Sequence, residues 1–383
     1  SVEVWKLKFQ KAGYVCGQRI GLLLQNQPVF IEIWLALNSL GISVVPINHD
    51  LRVAELEYII EHSEMKLVIS NADRITELQK AVNNRNLAVE IISTLETIPT
   101  NLKSDNKIIN IDSATECALL YTSGTTGAPK GALHGHRLLM GHLPGVEMSH
   151  DFLGQKDDCL WTPADWAWIG GLFDVLMPAL ALGVPVVAAR LPKFTPEACL
   201  DVMSRAPIRN VFFPPTALRM LKAADIRIDS LRSVASGGEP LGAEMLAWGK
   251  LAFGLDINEF YGQTECNMVA SSAASLFAPR PGCIGKAVPG FEIAVLDRVG
   301  RKTLGEGDVV IRKGAASMML GYWNRPEESA EKFKDEWMLT GDRGIWDADY
   351  LRFIAREDDV ITSSGYRIGP AEIEDCLLTH DSV

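Results

Sequence analysis

The sequence predicts an α/β protein, with helices flanking mostly parallel sheets and a smaller β-rich part following them. Two observations carry this. Short apolar runs alternate with amphipathic or proline-started segments through the first 262 residues, which is the pattern of a parallel sheet covered on both faces. Past residue 280, Pro281-Gly282 and Pro289-Gly290 mark turns that open a set of short strands.

Ser1 to Trp5 enters what reads as the middle of a helix, with no capping signal before it. Arg19 to Gln25 (RIGLLLQ) is a buried strand. Pro28 suits the first turn of a helix running to about Leu40, and Gly41 ends it. Ile42 to Ile47 is the next strand. Arg52 to His62 is amphipathic, with Val53, Leu56, Ile59 and Ile60 on one face. Lys66 to Ser70 and Cys117 to Tyr121 are further short strands. The run from Gly170 to Ala189 is apolar but holds Asp174, Pro178 and Pro185, and reads as a buried helix and then a buried strand rather than a membrane span. Strand–helix pairs recur at 184–213 and 231–262, and Phe291 to Leu296 and Val309 to Arg312 are strands of the β-rich part.

At 383 residues the chain is long enough for two or three domains of roughly 150 residues. Its 47% apolar and 22% charged content is that of a soluble globular protein. A net charge of −11 argues against nucleic-acid partners, which need a basic surface, and against an anionic membrane. The seven cysteines are odd in number and never in CxxC spacing, which points to reduced thiols and a cytoplasmic protein rather than a disulfide or zinc framework.

The most informative stretch is Tyr121-Thr122-Ser123-Gly124-Thr125-Thr126-Gly127-Ala128-Pro129-Lys130-Gly131. Here a buried strand ends in hydroxyl and glycine residues closed by a lysine. Bare glycines let successive backbone N–H groups converge on an anion, the hydroxyls add donors, and Lys130 adds a mobile charge. This is a loop for holding a polyphosphate. It is not a Walker A loop, because Lys130 stands three residues after Gly127 and is followed by Gly131. His134, His136, His142 and His150 follow without metal-ligand spacing.

The loop resembles the signature of the adenylate-forming (AMP-binding) superfamily, which includes acyl-CoA synthetases, luciferases and nonribosomal peptide adenylation domains. The later motifs match the family in order over nearly the whole chain, most closely the acetyl- and medium-chain acyl-CoA synthetases. The resemblance implies that Thr122 to Gly127 and Lys130 gather the β- and γ-phosphates of ATP. In Ser236-Gly237-Gly238-Glu239-Pro240, the residues matching Gly238, Glu239 and Pro240 line the adenine pocket. In Tyr261-Gly262-Gln263-Thr264-Glu265, the ring of Tyr261 stacks on adenine, Thr264 reaches the α-phosphate, and Glu265 holds Mg²⁺. Asp342 and Arg356 match residues that contact ribose, Asp358 matches a hinge, and Arg367 lies just past it, able to approach the phosphates.

The aromatic stretch holding Trp166, Trp168 and Gly170 reads either as core or as the wall of an acyl or CoA pocket. Acetyl-CoA synthetases carry tryptophan where this chain has Gly262, so the resemblance implies a pocket for longer or bulkier acids.

On the same resemblance, residues 1–280 form the N-terminal α/β subdomains, 281–357 the β-rich subdomain, and 358–383 the hinge and the start of a largely absent C-terminal domain. The family's catalytic lysine falls in that domain and has no counterpart here. The expected N-terminal helical segment also has no match, and Gly305–Asp308 and Asp347–Tyr350 look short. A truncated chain that binds ATP but adenylates poorly is therefore expected. The implied reaction activates a short- or medium-chain fatty acid to an acyl-adenylate and then to acyl-CoA, with ATP, Mg²⁺ and coenzyme A. The alternatives are an adenylation domain loading a carrier protein and a non-catalytic nucleotide-binding protein.

Overall fold

The computed structural model describes residues 1–94, 96–100, 110–122, 128–356, 361–363, 366–368 and 377, with the backbone alone for 361–363 and 366–368. The chain opens with α1 (Val2–Ala12), β1 (Arg19–Leu23), α2 (Pro28–Asn38), β2 (Ser43–Pro46), α3 (Val53–Ser63), β3 (Leu67–Ser70), α4 (Ile75–Arg85), β4 (Glu90–Ser93), β5 (Glu116–Thr122) and β6 (Lys130–Gly135). Strands β5, β2, β1, β3 and β4 lie side by side in parallel, and β6 closes on β5 in antiparallel register. The continuous apolar reading of β1 follows from burial on both faces. Ile20 and Leu22 pack with α1 and α2, while Leu23 packs with α3 and α4. On α3, Leu56, Ile59 and Ile60 face inward as the periodicity requires, and Val53 only flanks them.

The second layer holds α5 (Leu138–Ser149), β7 (Leu160–Trp161), α6 (Ile169–Gly171), α7 (Met177–Ala181), α8 (Pro196–Arg205), β8 (Asn210–Phe212), α9 (Pro215–Ala223), β9 (Ser233–Gly237), α10 (Gly242–Phe253), β10 (Ile257–Gln263), β11 (Asn267–Ser271) and β12 (Lys286–Ala287). A π-helical turn, Leu172–Leu176, joins α6 to α7. Strands β7 to β10 are parallel, and β11 and β12 add antiparallel edges. Helices α8 to α10 cover one face of this sheet, and α5 with the 169–181 segment covers the other. The same segment also reaches the first sheet's core through Leu172, Phe173 and Leu176, so the two sheets share one helical filling.

The buried strand expected at 184–189 is not there. Val186 makes a single bridge to Leu160 beyond the sheet edge, and of this run only Val184 is buried. Pro185 lacks the N–H that a ladder needs, which explains an apolar run that stops short of a strand.

The β-rich part follows: β13 (Ile293–Leu296), β14 (Gly307–Arg312), β15 (Gly321–Tyr322), α11 (Pro326–Glu331), β16 (Phe333–Lys334), β17 (Trp337–Asp347) and β18 (Tyr350–Arg356). All of its strands but β15 form an antiparallel sheet, and β15 crosses back to pair with β6 of the first sheet. The stretches that looked short close without a gap. Asp308 pairs with Leu296 and Arg343, and Asp347 pairs with Tyr350 across a two-residue turn in which Ala348 has φ 57°. Backbone strands β19 (Ile361–Ser363) and β20 (Tyr366–Ile368) form a separate hairpin. No helix among the described residues is long and apolar enough to cross a membrane.

Candidate active site

Three pieces of chain converge on one cleft of ≈ 770 Å³. The carboxyl ends of β9 and β10 form its floor, where an open parallel sheet presents ligand sites. The β5–β6 hairpin enters from the first sheet with Thr122 and Lys130, and β17 and β18 close the far side with Asp342 and Arg356.

The floor follows from its sequence. Gly238 has φ 103° and nothing within 4 Å of where a Cβ would stand, so bare backbone faces the cleft beside Glu239 and Pro240. The exposed Glu239 carboxylate is held by Arg219 at 2.9 Å, which leaves the loop's backbone as its contribution to the cleft. Tyr261, Gly262, Gln263, Thr264 and Glu265 run along the end of β10 and the turn into β11.

A polar network ties the floor to the wall. Tyr261 Oη donates to Asp342 Oδ2, and Gln263 Nε2 donates to the same oxygen at 2.7 Å and to the Thr340 carbonyl at 2.8 Å. Asp342 is 4% exposed; burial raises its carboxyl above the ordinary range, opposed by the Tyr261 bond and the positive charge of Arg356. Arg356 stands opposite Asp342 in the β17–β18 register. Glu265 accepts from Tyr322 Oη, and Lys332 Nζ lies 4.0 Å from Glu265 Oε1 and 3.3 Å from Gln263 Oε1. Lys130 Nζ sits 5.3 Å from the Tyr322 ring centre. Lys130 and Lys332 thus stand near one carboxylate, Glu265, and its Tyr322 partner, while Asp342 lies on the opposite wall.

The comparisons decide the family. The model of the AMP-binding enzyme family matches residues 8–323. This chain belongs to the AMP-binding enzymes. Human mitochondrial acyl-coenzyme A synthetase ACSM2B is 30% identical over 390 residues, covering 96% of this chain and 66% of the relative. Mouse mitochondrial acyl-coenzyme A synthetase ACSM3 is 30% identical with the same coverage. The chain therefore spans just under two thirds of the length of these relatives. Among solved structures, the anthranilate CoA ligase AuaEII in complex with anthranoyl-AMP has a TM-score of 0.86 at 26% identity, covering 100% of this chain and 76% of that one. An acyl-CoA synthetase from Brucella canis has a TM-score of 0.81 at 28% identity, covering 100% and 73%. ATP-bound MatB from Rhodopseudomonas palustris has a TM-score of 0.82 at 25% identity, covering 97% and 76%.

In this AMP-binding chain the expected site residues divide. Thr122, Lys130, Gly238, Glu239, Pro240, Tyr261, Gly262, Gln263, Thr264, Glu265, Asp342 and Arg356 line the one cleft, and Trp168 stands at its rim, 43% exposed. Ser123, Gly124, Thr125, Thr126, Gly127 and Asp358 lie outside the described residues, as does the side chain of Arg367.

Trp166 does not line the cleft. It is 2% exposed and packs edge-on against Phe30, with its backbone N–H donating to Asn26 Oδ1, so it is core. Gly170 also sits behind the cleft wall rather than on it.

Gly262 lines the cleft and also has a packing reason of its own. A Cβ there would lie 1.8 Å from the Asn267 carbonyl oxygen and 2.8 Å from Met268 N, so the β10–β11 hairpin itself demands glycine. The absent side chain therefore cannot be read simply as a removed pocket wall.

Sequence reasoning missed Tyr322, Lys332 and Glu259, all on the cleft. A carboxylate inside the apolar strand β10 was the available signal for Glu259. It accepts from Leu241 N at 3.1 Å, and burial pushes its carboxyl up to about 7. Lys332 had no local signal.

His134, His142 and His150 are buried, and desolvation holds them neutral, with pKa values lowered to about 4, about 3 and about 3. No metal-binding cluster of three or more ligands occurs among the described residues.

Proposed function

We propose that this protein activates a carboxylic acid with ATP, forming an acyl-adenylate and pyrophosphate, and then passes the acyl group to the thiol of coenzyme A. The observation that carries the reading is the meeting, in one cleft, of a hydroxyl-and-lysine strand end (Thr122, Lys130), a bare glycine loop (Gly238), and two carboxylates at opposite walls (Glu265, Asp342).

In this reading the adenine lies between the Gly238–Pro240 backbone and the Tyr261 ring. Asp342 accepts from the ribose hydroxyls, with Tyr261 and Gln263 fixing its orientation and Arg356 beside it. Lys130 and Lys332 neutralise the departing pyrophosphate. Such a displacement at phosphorus is catalysed by positioning and by charge neutralisation. A single carboxylate, Glu265, suits Mg²⁺ shared with substrate phosphates rather than a protein cage. When bound, the ion would draw charge from the phosphate oxygens. The acid enters past Trp168 toward Gly262. Short- to medium-chain acids are the proposed class, since a hydrophobic pocket gains roughly 0.8 kcal/mol per buried CH₂. Subdomain boundaries near 280 and 357, with a hinge at Asp358, complete the proposal.

Calorimetry with ATP and Mg²⁺, followed by pyrophosphate release over acids from acetate to decanoate plus benzoate, tests it. Magnesium-dependent ATP binding weakened by Asp342→Ala and by Lys130→Ala is expected, and ATP binding indifferent to both would refute it. Offering coenzyme A beside a phosphopantetheinyl carrier identifies the acceptor. Cell fractionation distinguishes a cytoplasmic location from the mitochondrial one in the relatives' names.

A further inference from the structure

Helix α3 grips both strand ends that bring Thr122 and Lys130 to the cleft. Strand β5 runs out at Thr122, β6 begins at Lys130, and these two residues form the final pairing of their ladder. Pro129 precedes that pairing and has no N–H to offer a further ladder bond. A side chain ties the chain down there instead. Tyr58 Oη donates to the Pro129 carbonyl at 2.7 Å. One helical turn on, His62 Nδ1 lies 2.8 Å from the hydroxyl of Tyr121, the residue before Thr122. Tyr58 and His62 share one face of α3 and stack, with ring centres 5.2 Å apart and planes inclined by 20°.

The segment that carries β15 closes the same scaffold from the other side. Trp323 N donates to the Gly131 carbonyl at 2.8 Å, and Trp323 Nε1 donates to the His62 carbonyl at 3.0 Å. Arg325 neighbours the Tyr58 hydroxyl. Lys130 thus stands between two anchored carbonyls, Pro129 on Tyr58 and Gly131 on Trp323. A peptide unit is planar, so fixing the Pro129 carbonyl also fixes the Lys130 amide and the point from which its side chain starts. Lysine is a point charge on a flexible stem, and where that stem begins decides where the charge can rest. Here it reaches the cleft beside Tyr322, whose hydroxyl holds Glu265. Tyr58 itself does not line the cleft.

We infer that Tyr58, supported by His62, is a positioning residue for polyphosphate binding: through the Pro129 carbonyl it aims Lys130 at the β- and γ-phosphates without touching the nucleotide. The inference rests on the proposed ATP chemistry and adds to it a residue from outside the cleft.

The test is calorimetry of residues 1–383 with ATP, inorganic tripolyphosphate and AMP, each with Mg²⁺, comparing the wild type with Tyr58→Phe. Phenylalanine keeps the stacking on His62 and the edge contact with Tyr121 and removes only the hydroxyl. Affinity for ATP and tripolyphosphate should fall about three- to tenfold, the worth of one hydrogen bond, while AMP, which lacks the two outer phosphates, binds as before. In a Lys130→Ala background the same substitution should have no further effect, because residues that act through one another are not additive. His62→Phe keeps a ring against Tyr58 and removes the tie to Tyr121; it should separate ATP from AMP in the same direction, and it carries the test should Tyr58→Phe fail to fold. A purely structural role would weaken ATP and AMP alike, and that result overturns the inference. So does ATP affinity unchanged in both variants, or a Tyr58→Phe effect that persists in full without Lys130. Each of these leaves the adenylation reading standing, since the wild type still binds ATP. A wild type that binds neither ATP nor tripolyphosphate refutes that reading and this inference together.

Discussion

Replacing Gly262 by alanine separates two explanations of one residue. If Gly262 is there to leave room for the acid, the added methyl group should shorten the acyl chains accepted and leave the fold untouched. The structure argues for a different outcome. The new Cβ would stand 1.8 Å from the Asn267 carbonyl oxygen, 2.3 Å from its carbon and 2.8 Å from Met268 N, all backbone atoms that no rotamer change can move. Reaching an ordinary contact requires a shift of roughly 1.5 Å in one strand of the hairpin. Overpacking of this kind costs about 1–3 kcal/mol, and a backbone obstacle puts Gly262→Ala at about 3 kcal/mol. The strain falls on the turn that carries Thr264 and Glu265, where Gln263 pairs with Asn267 across the hairpin. Urea unfolding followed by tryptophan fluorescence should therefore show the full loss, and calorimetry should show weakened ATP binding with every acid equally affected. A variant as stable as the wild type, binding ATP normally and differing only in preferred chain length, would refute the backbone argument.

Asp342→Ala should weaken ATP binding about 10- to 100-fold while leaving inorganic tripolyphosphate unaffected, because only the nucleoside reaches that carboxylate; charged hydrogen bonds are worth about 1.5–3 kcal/mol. Trp166→Ala should cost about 3–5 kcal/mol of stability as a core truncation, whereas Trp168→Ala should leave unfolding nearly unchanged and alter acyl-adenylate affinity. Glu259 has a folded pKa near 7, above its unfolded value, so its contribution to stability is complete below about pH 4.5 and is lost as pH rises toward 7. Glu259→Gln keeps an acceptor for Leu241 N and should flatten the wild-type decline in stability between pH 5 and 7 by up to about 3 kcal/mol, read from unfolding curves at each pH.

Much of this protein was legible in the chain because its signals are local. Strand β1 reads as RIGLL however the sheet is assembled, and Pro28 starts α2 by its fixed φ alone. The residues from Tyr261 to Glu265 sit next to each other in the chain, so their common placement on the cleft needed no long-range knowledge. Composition fixed no site, but it set the broad class.

Tertiary structure decided whatever depends on a partner from elsewhere in the chain. Trp166 and Trp168 are two residues apart, and only the approach of Phe30 and Asn26 makes one core and leaves the other at the cleft rim. Lys332 became a cleft cation because β16 folds back along β17 beside Gln263 and Glu265. Gly262 turned from a specificity signal into a packing requirement once β11 lay against it. The apolar run at 184–189 meets β7 at a single bridge, because Pro185 has no N–H with which to extend the ladder. In each case the residue's own chemistry is unchanged, and what it does is set by which atoms the fold brings within about 4 Å of it.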